Sequence, residues 1–332
     1  MKVLVTGGAG YIGSHVVLAC LGAGHEVVVI DDLSTGRREA VPRGVPLIVG
    51  DVGDAGLVAK GLETHEIAAV IHMAGKVVVP ESVASPLLYY RANTAASRSL
   101  IAACAEAGVK SFVFSSTAAV YGAPKETPVT EDAPLEPINP YGRSKLMTEW
   151  ILADAAAAHG FGCLALRYFN VAGADPRGRA GQSTPQATHL IKVASEAAVG
   201  LRDKVEIFGQ DYETPDGTCI RDYIHVSDLA AAQVAALRYL AAGGRNRVMN
   251  CGYGRGYSVR EVLATVEQVN GRPLTVVAAP RRPGDPPVLV ADPSRLMSEL
   301  DWRPQHADLA AMIESAIGWE KILMGPRKPQ AT

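Results

Sequence analysis

Residues Lys2 to Gly13 read KVLVTGGAGYIG, an apolar strand that runs into Gly7-x-x-Gly10-x-x-Gly13 and then into an apolar helical stretch. Few folds accommodate that order. The glycines permit a tight turn and a close backbone approach to a pyrophosphate, whose charge meets the positive N-terminus of a helix starting near Tyr11. The next apolar run, Glu26 to Ile30, ends at Asp31, eighteen residues past Gly13. A carboxylate there accepts hydrogen bonds from a ribose 2′-hydroxyl and repels a 2′-phosphate, so the expected cofactor is NAD rather than NADP.

Short β-branched runs continue to alternate with helical stretches, which predicts parallel βαβ units with helices on both faces. The expected strands are Val3–Thr6, Glu26–Ile30, Leu47–Val49, Ala69–His72, Ser111–Ser115 and Cys163–Arg167. Ligands of such sheets bind at the carboxyl ends of the strands. Asp31, Asp51, His72, Ser115, Ser116, Thr117 and Asn170 all lie at such ends. Beyond about Asn170 the alternation fails and Gly, Pro, Arg and Asp become frequent. The expected fold is therefore α/β: a Rossmann-type doubly wound parallel sheet over residues 1–170 with a smaller C-terminal α/β substrate lobe over 171–332. A segment near 217–255 is expected to return to the first domain, with Asp222–Val226 as its buried strand.

Bulk properties narrow the partner. With 332 residues, 48% hydrophobic, 20% charged and a net charge of −2, the chain carries neither the basic footprint of a nucleic-acid binder nor the composition of a disordered one. No apolar run approaches the roughly 20 residues of a membrane helix, and glycines cut the N-terminal KVLV too short for a signal peptide. A cytoplasmic protein with a small-molecule partner, and without nucleic-acid or membrane partners, is expected. Cys20, Cys104, Cys163, Cys219 and Cys251 are scattered, without metal-ligand spacing, and read as small buried hydrophobes. No metal is expected.

The chemistry enters at Asn139-Pro140-Tyr141-Gly142-Arg143-Ser144-Lys145. Asn139 and Pro140 signal a helix start, which places Tyr141 and Lys145 on one helical face. An ammonium beside a phenol, aided by a charged nicotinamide, lowers the phenol pKa and makes Tyr141 a general base. Phe112 to Thr117 end an apolar strand in three hydroxyls, twenty-four residues before Tyr141. Thr117 is assigned to substrate oxygen and Ser115 to capping the following turn.

These residues resemble the extended short-chain dehydrogenase/reductases, and within them the UDP-glucose 4-epimerase branch. The likeness runs from Met1 to about Trp319. It includes VTGGAGYIGSH at 5–15, GDV at 50–52, FSSTAAVYG at 114–122, PYGRSKLMTEW at 140–150 and LRYFNVAGA at 166–174. DGTCIRDYIHVSDLA at 216–230 and APRRPGDPP at 279–287 are the segments that separate this branch from generic reductases. The resemblance implies a catalytic set of Tyr141, Lys145 and Thr117. It implies NAD held by Gly7, Gly10, Tyr11, Ile12, Gly13, Asp31, Asp51, Val52, Ala74, Asn93, Ser115, Tyr141, Lys145 and Tyr168. For the UDP-sugar it implies Thr117, Tyr141, Asn170, His189, Leu190, Phe208, Arg221, Arg282, Asp285 and Leu289. It further implies a homodimer formed through helices near Pro86–Ala107 and Arg143–Ala158.

Three departures accompany the likeness. Lys76 precedes by one place the position where relatives carry lysine, an asparagine is missing near Thr188-His189-Leu190, and Leu289 replaces a tyrosine of the branch restricted to UDP-glucose and UDP-galactose. A smaller Leu289 implies room for an N-acetyl sugar. A 4,6-dehydratase needs an acid pair after the strand-end threonine, where this chain has Ala118-Ala119. The remaining alternatives are a UDP-glucuronate/UDP-galacturonate 4-epimerase and an NAD-binding sensor without turnover. A sensor has no need of Tyr141, Lys145 and a strand-end hydroxyl together.

Overall fold

A computed structural model describes residues 1–325 except Gln186 and Pro283. Seven parallel strands form the main sheet: β1 (Lys2–Thr6), β2 (Glu26–Asp31), β3 (Leu47–Val49), β4 (Ala69–His72), β5 (Ser111–Thr117), β6 (Gly162–Tyr168) and β10 (Arg247–Cys251). Their order is β10-β6-β5-β4-β1-β2-β3. The chain therefore winds outward from β1 in one direction and resumes at β4 in the other. That reversal opens the crevice at the carboxyl ends of β1 and β4 where open α/β sheets hold ligands.

Side chains of each strand alternate between two apolar layers because the strand period is two. Leu4, Val28, Ile30, Val70, Phe112 and Phe114 face one layer, which helices α2 (Ala55–Thr64), α5 (Ala96–Glu106) and α6 (Pro140–His159) cover with Val58, Leu62, Leu100, Ile101, Leu152 and Ala156. Val3, Val5, Val27, Val29, Ile71, Val113 and Leu164 face the other, beneath α1 (Tyr11–Gly22) and α8 (Val226–Ala241). Cys20 and Cys251 belong to this second layer, and all five cysteines are buried and free. The short α3 (Val79–Ala84) and α4 (Pro86–Tyr89) lead into a π-helical turn, Tyr90–Ala95, before α5.

A second sheet joins β7 (Asn170–Ala172), β9 (Ile220–His225), β11 (Gly256–Ser258) and β13 (Val288–Leu289), and β8 (Val205–Phe208) pairs with β12 (Val276–Ala279). Helices α7 (Leu190–Ala198), α9 (Val259–Asn270) and α11 (Leu309–Met324) bury Ile191, Val262, Leu263, Val266, Met312 and Ile313 against it, and α10 (Ser294–Glu299) lies against β10. One expectation is corrected here. The strand over Asp222–Val226 does not rejoin the main sheet, because β9 pairs with β7, β11 and β13. The chain returns instead through α8, which covers α1, and through β10, which pairs with β6.

The strand limits follow the sequence closely; β1 gains Lys2, β2 gains Asp31 and β6 gains Gly162, and the extensions that bear on the site are at the ends of β5 and β6. β5 runs through Thr117 and β6 through Tyr168, because both stay in register to Thr117↔Tyr168. Hydroxyl-bearing residues that read as a turn are thus the last rungs of a buried ladder.

Candidate active site

The glycine turn is built by contacts that admit no side chain. Gly7 sits at φ +67°, where a Cβ would fall 2.7 Å from the Ala74 nitrogen. A Cβ on Gly13 would fall 2.0 Å from the Gly7 carbonyl oxygen. These contacts draw the N-terminus of α1, with Tyr11 and Ile12, against the end of β1. A dinucleotide pyrophosphate suits that cradle. The Tyr11 phenol turns away from it and donates to the Gly173 carbonyl oxygen at 2.7 Å, tying the turn to the segment after β7.

Asp31 closes β2 with its carboxylate buried. Its Oδ2 accepts from the Ala9 amide at 2.9 Å and its Oδ1 from the Leu33 amide at 2.8 Å. Burial raises its pKa, and the two amides oppose the rise only in part. A carboxylate has about four acceptor positions, so room remains for a ribose hydroxyl. Asp51 and Val52 follow β3 on the same edge. Asp51 is exposed and accepts from the Gly53 amide at 2.8 Å, whereas Val52 is buried.

On the other side of the crevice stands α6. Asn139 caps it by accepting from the Gly142 amide at 2.8 Å, with Pro140 in the first turn, as the sequence predicts. Tyr141 and Lys145 follow, both buried. The Lys145 ammonium donates to the Ser115 carbonyl oxygen at 2.9 Å and lies 5.0 Å from the centre of the Phe114 ring. Burial lowers its pKa to about 8.

The expected activation of Tyr141 is not delivered by the protein alone. Burial raises the phenol pKa, and the Thr117 hydroxyl only partly opposes this. The rise follows from taking a phenolate out of water. The assignment of the strand-end hydroxyls is also corrected. Ser115 caps nothing: its hydroxyl lies 2.5 Å from the Tyr168 hydroxyl. Thr117 faces Tyr141 and also caps the next turn, accepting from the Ala119 amide at 3.1 Å. Because β5 extends through Thr117, Ser115 remains inside the sheet and the capping position moves two residues along.

Asn93 lies in the π-helical turn, fully buried, and holds the loop after β4. Its Oδ1 accepts from the Lys76 amide at 2.8 Å, and its Nδ2 donates to the Lys76 carbonyl and to the Ser144 hydroxyl, both at 3.0 Å. A Cβ on Gly75 in that loop would fall 2.9 Å from Asn93 Oδ1 and 3.4 Å from Lys145 Nζ. The loop, Asn93 and Lys145 therefore meet at the end of β4, close to Ala74.

Apart from Thr117 and Tyr141, the residues expected at a nucleotide-sugar lie on the second sheet, on β8, at the start of α7 and in the loop between β12 and β13. Arg221, in β9, is buried and forms an ion pair with Asp285, while donating to the Ile220 carbonyl at 2.8 Å. Its chain neighbour Asp222 is not its partner, being buried and accepting from the amides of Tyr253, Gly254 and Ala291. Arg282 stacks on Phe208, its guanidinium carbon 3.8 Å from the ring centre. His189 Nδ1 is 3.1 Å from Gln182 Nε2, just before Leu190 opens α7. Asn170 begins β7 opposite Tyr223. Leu289, in β13 beside Arg221, is buried with Ala118, Leu146 and Phe169, within reach of the end of β5.

One buried network escaped the reading of the sequence. The Arg167 guanidinium forks onto Glu149, at 3.0 Å and 2.6 Å, while Ser116 donates to the same carboxylate. Tyr121 accepts from Arg167 at 3.0 Å and donates to Asn250 at 2.7 Å. The available signal was an arginine ending the apolar run of β6 and a glutamate on the helix that carries Tyr141 and Lys145.

The chain matches the NAD dependent epimerase/dehydratase family over residues 3–252. It is 61% identical over 322 residues to the UDP-glucose 4-epimerase of Azospirillum brasilense, covering 97% of this chain and 92% of that protein. Among solved structures, the UDP-glucose 4-epimerase of Brucella ovis in complex with NAD superposes with a TM-score of 0.92 at 45% identity, over 96% of this chain and 97% of the other. The UDP-Glc/GlcNAc 4-epimerase of Campylobacter jejuni superposes with a TM-score of 0.84 at 47% identity, over 96% and 98% of the two chains.

Proposed function

The chain belongs to the NAD dependent epimerase/dehydratase family, and from that footing we propose that it interconverts UDP-glucose and UDP-galactose by 4-epimerisation with a resident NAD. The observation that carries this reading is the meeting of Tyr141, Thr117 and Lys145 at the end of β5, across the crevice from the Gly7–Gly13 cradle. Relatives named for this activity cover nearly the whole chain.

Bound NAD supplies a reversible hydride acceptor for C4 of the sugar. The turn from Gly7 to Gly13, with Tyr11 and Ile12, holds the pyrophosphate. Asp31 receives the ribose hydroxyls, and Asp51 and Val52 border the adenine. Ala74, Asn93, Ser115 and Tyr168 shape the nicotinamide end, where Lys145 holds ribose.

Tyr141 takes the proton of the sugar 4-hydroxyl as that oxygen becomes a ketone and returns it after the sugar has turned over. Thr117 hydrogen-bonds the same oxygen. Arg221, Arg282 and Asp285 hold the UDP with Asn170, His189, Leu190 and Phe208. Guanidinium groups suit a diphosphate because they make forked, charge-assisted hydrogen bonds. A nucleotide gripped at that end leaves the sugar loose enough to present either face.

In this reading residues 1–170, with a return near 217–255, serve the dinucleotide and 171–332 the nucleotide-sugar. Leu289 favours a second substrate pair, UDP-GlcNAc and UDP-GalNAc, since isobutyl occupies less of a sugar pocket than a phenol. Exposed apolar side chains support a homodimer: Val83 and Leu87 on α3 and α4 are 59% and 81% exposed, beside Met147 and Trp150 on α6. Exposed apolar side chains on elements that pack together, as α3 and α4 do with α6, suit a contact face, and sedimentation velocity distinguishes dimer from monomer. A cytoplasmic location fits this reading. Among the described residues no helix is long and apolar enough to cross a membrane.

The test is proton NMR of the anomeric region while purified protein, without added cofactor, is incubated with UDP-galactose. Appearance of UDP-glucose to equilibrium supports the reading with NAD retained. No conversion after NAD is added rejects the substrate assignment and sends the search to UDP-glucuronate.

A further inference from the structure

His72 closes β4, fully buried, its ring stacked on Phe114 at 5.7 Å and edge-on to Phe112 at 6.0 Å. Its Nδ1 lies 2.7 Å from the Thr6 hydroxyl and its Nε2 lies 2.8 Å from the Ser97 hydroxyl. The hydrogen bonds around it leave one proton arrangement. The Ser97 hydroxyl donates to the Asn93 carbonyl, so it must accept from His72 Nε2–H. Thr6 Oγ1 accepts from the Ala74 amide at 3.2 Å and shares the Met73 amide, 3.2 Å away, with the Thr6 carbonyl oxygen at 3.1 Å, which leaves its own proton to be donated to His72 Nδ1.

His72 thus joins the two supports of the loop after β4. Thr6 holds its start, through the Met73 and Ala74 amides. Asn93 holds its end, through the Lys76 amide and carbonyl. Asn93 also reaches Ser144, whose hydroxyl donates to the Tyr141 carbonyl oxygen at 2.7 Å. A protonated ring would confront the Thr6 proton and stand near the Lys145 ammonium, so only the neutral ring completes the chain.

We infer that His72, as the neutral Nε2–H tautomer, is a positioning residue that locks the Met73–Lys76 loop and the Asn93 turn into one register beneath Tyr141 and Lys145. Its bearing on turnover rests on the epimerase reading, whereas the tautomer and the loop register do not. A ring without hydrogen bonds at this position frees the loop, and misplacement of about 1 Å near a reacting centre costs on the order of 10²-fold in rate.

The experiment has three readouts. In wild-type protein labelled with 15N-histidine, NMR is expected to show His72 protonated at Nε2 and bare at Nδ1 from about pH 5 to about pH 8. A ring charged in that range, or protonated at Nδ1 alone, overturns the inference. The second readout compares His72→Phe, which keeps an aromatic ring, with His72→Gln, which restores one donor and one acceptor. Amide hydrogen exchange at Met73, Ala74 and Lys76 is expected to quicken in the Phe variant and stay slow in the Gln variant. Third, kcat falls on the order of 10²-fold in the Phe variant with KM held, and recovers largely in the Gln variant.

Equal exchange in all three proteins, or a Gln variant as impaired as the Phe variant, overturns the role. If the Phe variant does not fold, the wild-type tautomer and the Gln variant decide. If wild type itself shows no turnover, the epimerase reading fails while the tautomer and exchange still judge the positioning role.

Discussion

The Lys145 ammonium donates to the Ser115 carbonyl oxygen at 2.9 Å, so the cation of the Tyr-x-x-x-Lys pair is anchored to the end of β5. Its charge is held by backbone at the floor of the crevice. The same anchoring places a buried cation between Phe114 and Gly75.

That burial makes stability depend on pH in a defined direction. The Lys145 pKa falls from 10.5 to about 8 on folding. Below pH 8 the lysine is charged in both states and the burial cost is present in full. Between about 8 and 10.5 the unfolded chain holds a proton that the folded chain has released, so stability from this group rises with pH. In cofactor-free protein, Lys145→Met is expected to be more stable than wild type by about 3 kcal/mol near neutrality, with the difference disappearing by the upper end of that window. Urea denaturation of both proteins at two pH values checks this, and a difference that does not change with pH rejects it.

Tyr141→Phe removes one hydroxyl from a buried site and leaves the glycine cradle and Asp31 in place. Turnover of UDP-galactose is expected to drop by roughly 10² to 10⁴-fold, the usual share of a general acid–base group. NAD affinity, followed by fluorescence titration, is expected to stay near wild type. A variant that keeps most of its turnover removes Tyr141 from the proton-transfer role.

Leu289 packs with Ala118, Leu146 and Phe169 beside the end of β5. Leu289→Tyr is expected to lower kcat/KM for UDP-GlcNAc relative to UDP-glucose by about 1 to 3 kcal/mol, the range typical of a shape change in an apolar pocket. Measuring both pairs in both proteins settles it. Equal discrimination before and after the substitution sinks the gatekeeper role.

Glu149 and Arg167 are buried together, each other's only opposite charge in that network, with neutral support from Ser116 on the carboxylate and Tyr121 on the guanidinium. Glu149→Gln strands the guanidinium beside Tyr121 and is expected to cost roughly 3 to 5 kcal/mol of folding stability. Chemical denaturation measures it. A loss below about 1 kcal/mol, the size of an exposed pair, contradicts the buried-pair account.

Much of the fold is legible in the order of residues. The glycine turn, the strands through β6, the Asn139 cap and the acid that ends β2 rest on local rules: a period of two in strands, a side-chain oxygen at a helix start, and close contacts that exclude a Cβ. These depend on neighbours in the chain, so the chain displays them. The misassigned pieces depend on distant partners. Whether Asp222–Val226 joins the main sheet is decided by β7, β11 and β13, short strands that pair only when brought together. The capping role moves from Ser115 to Thr117 because register with β6 carries β5 two residues further.

The sequence by itself determined that a dinucleotide cradle, a strand-end hydroxyl and a Tyr–Lys pair occur in one α/β chain, because each is written in short-range spacing. Only the tertiary structure decided the proton inventory. Burial raises Tyr141, lowers Lys145 and leaves His72 uncharged between Thr6 and Ser97. The π-helical turn and Asn93 were placed the same way, by contacts with Lys76 and Ser144 from other elements. Desolvation and hydrogen-bond pairing are properties of the assembled interior, and residue order specifies them only after the chain has packed.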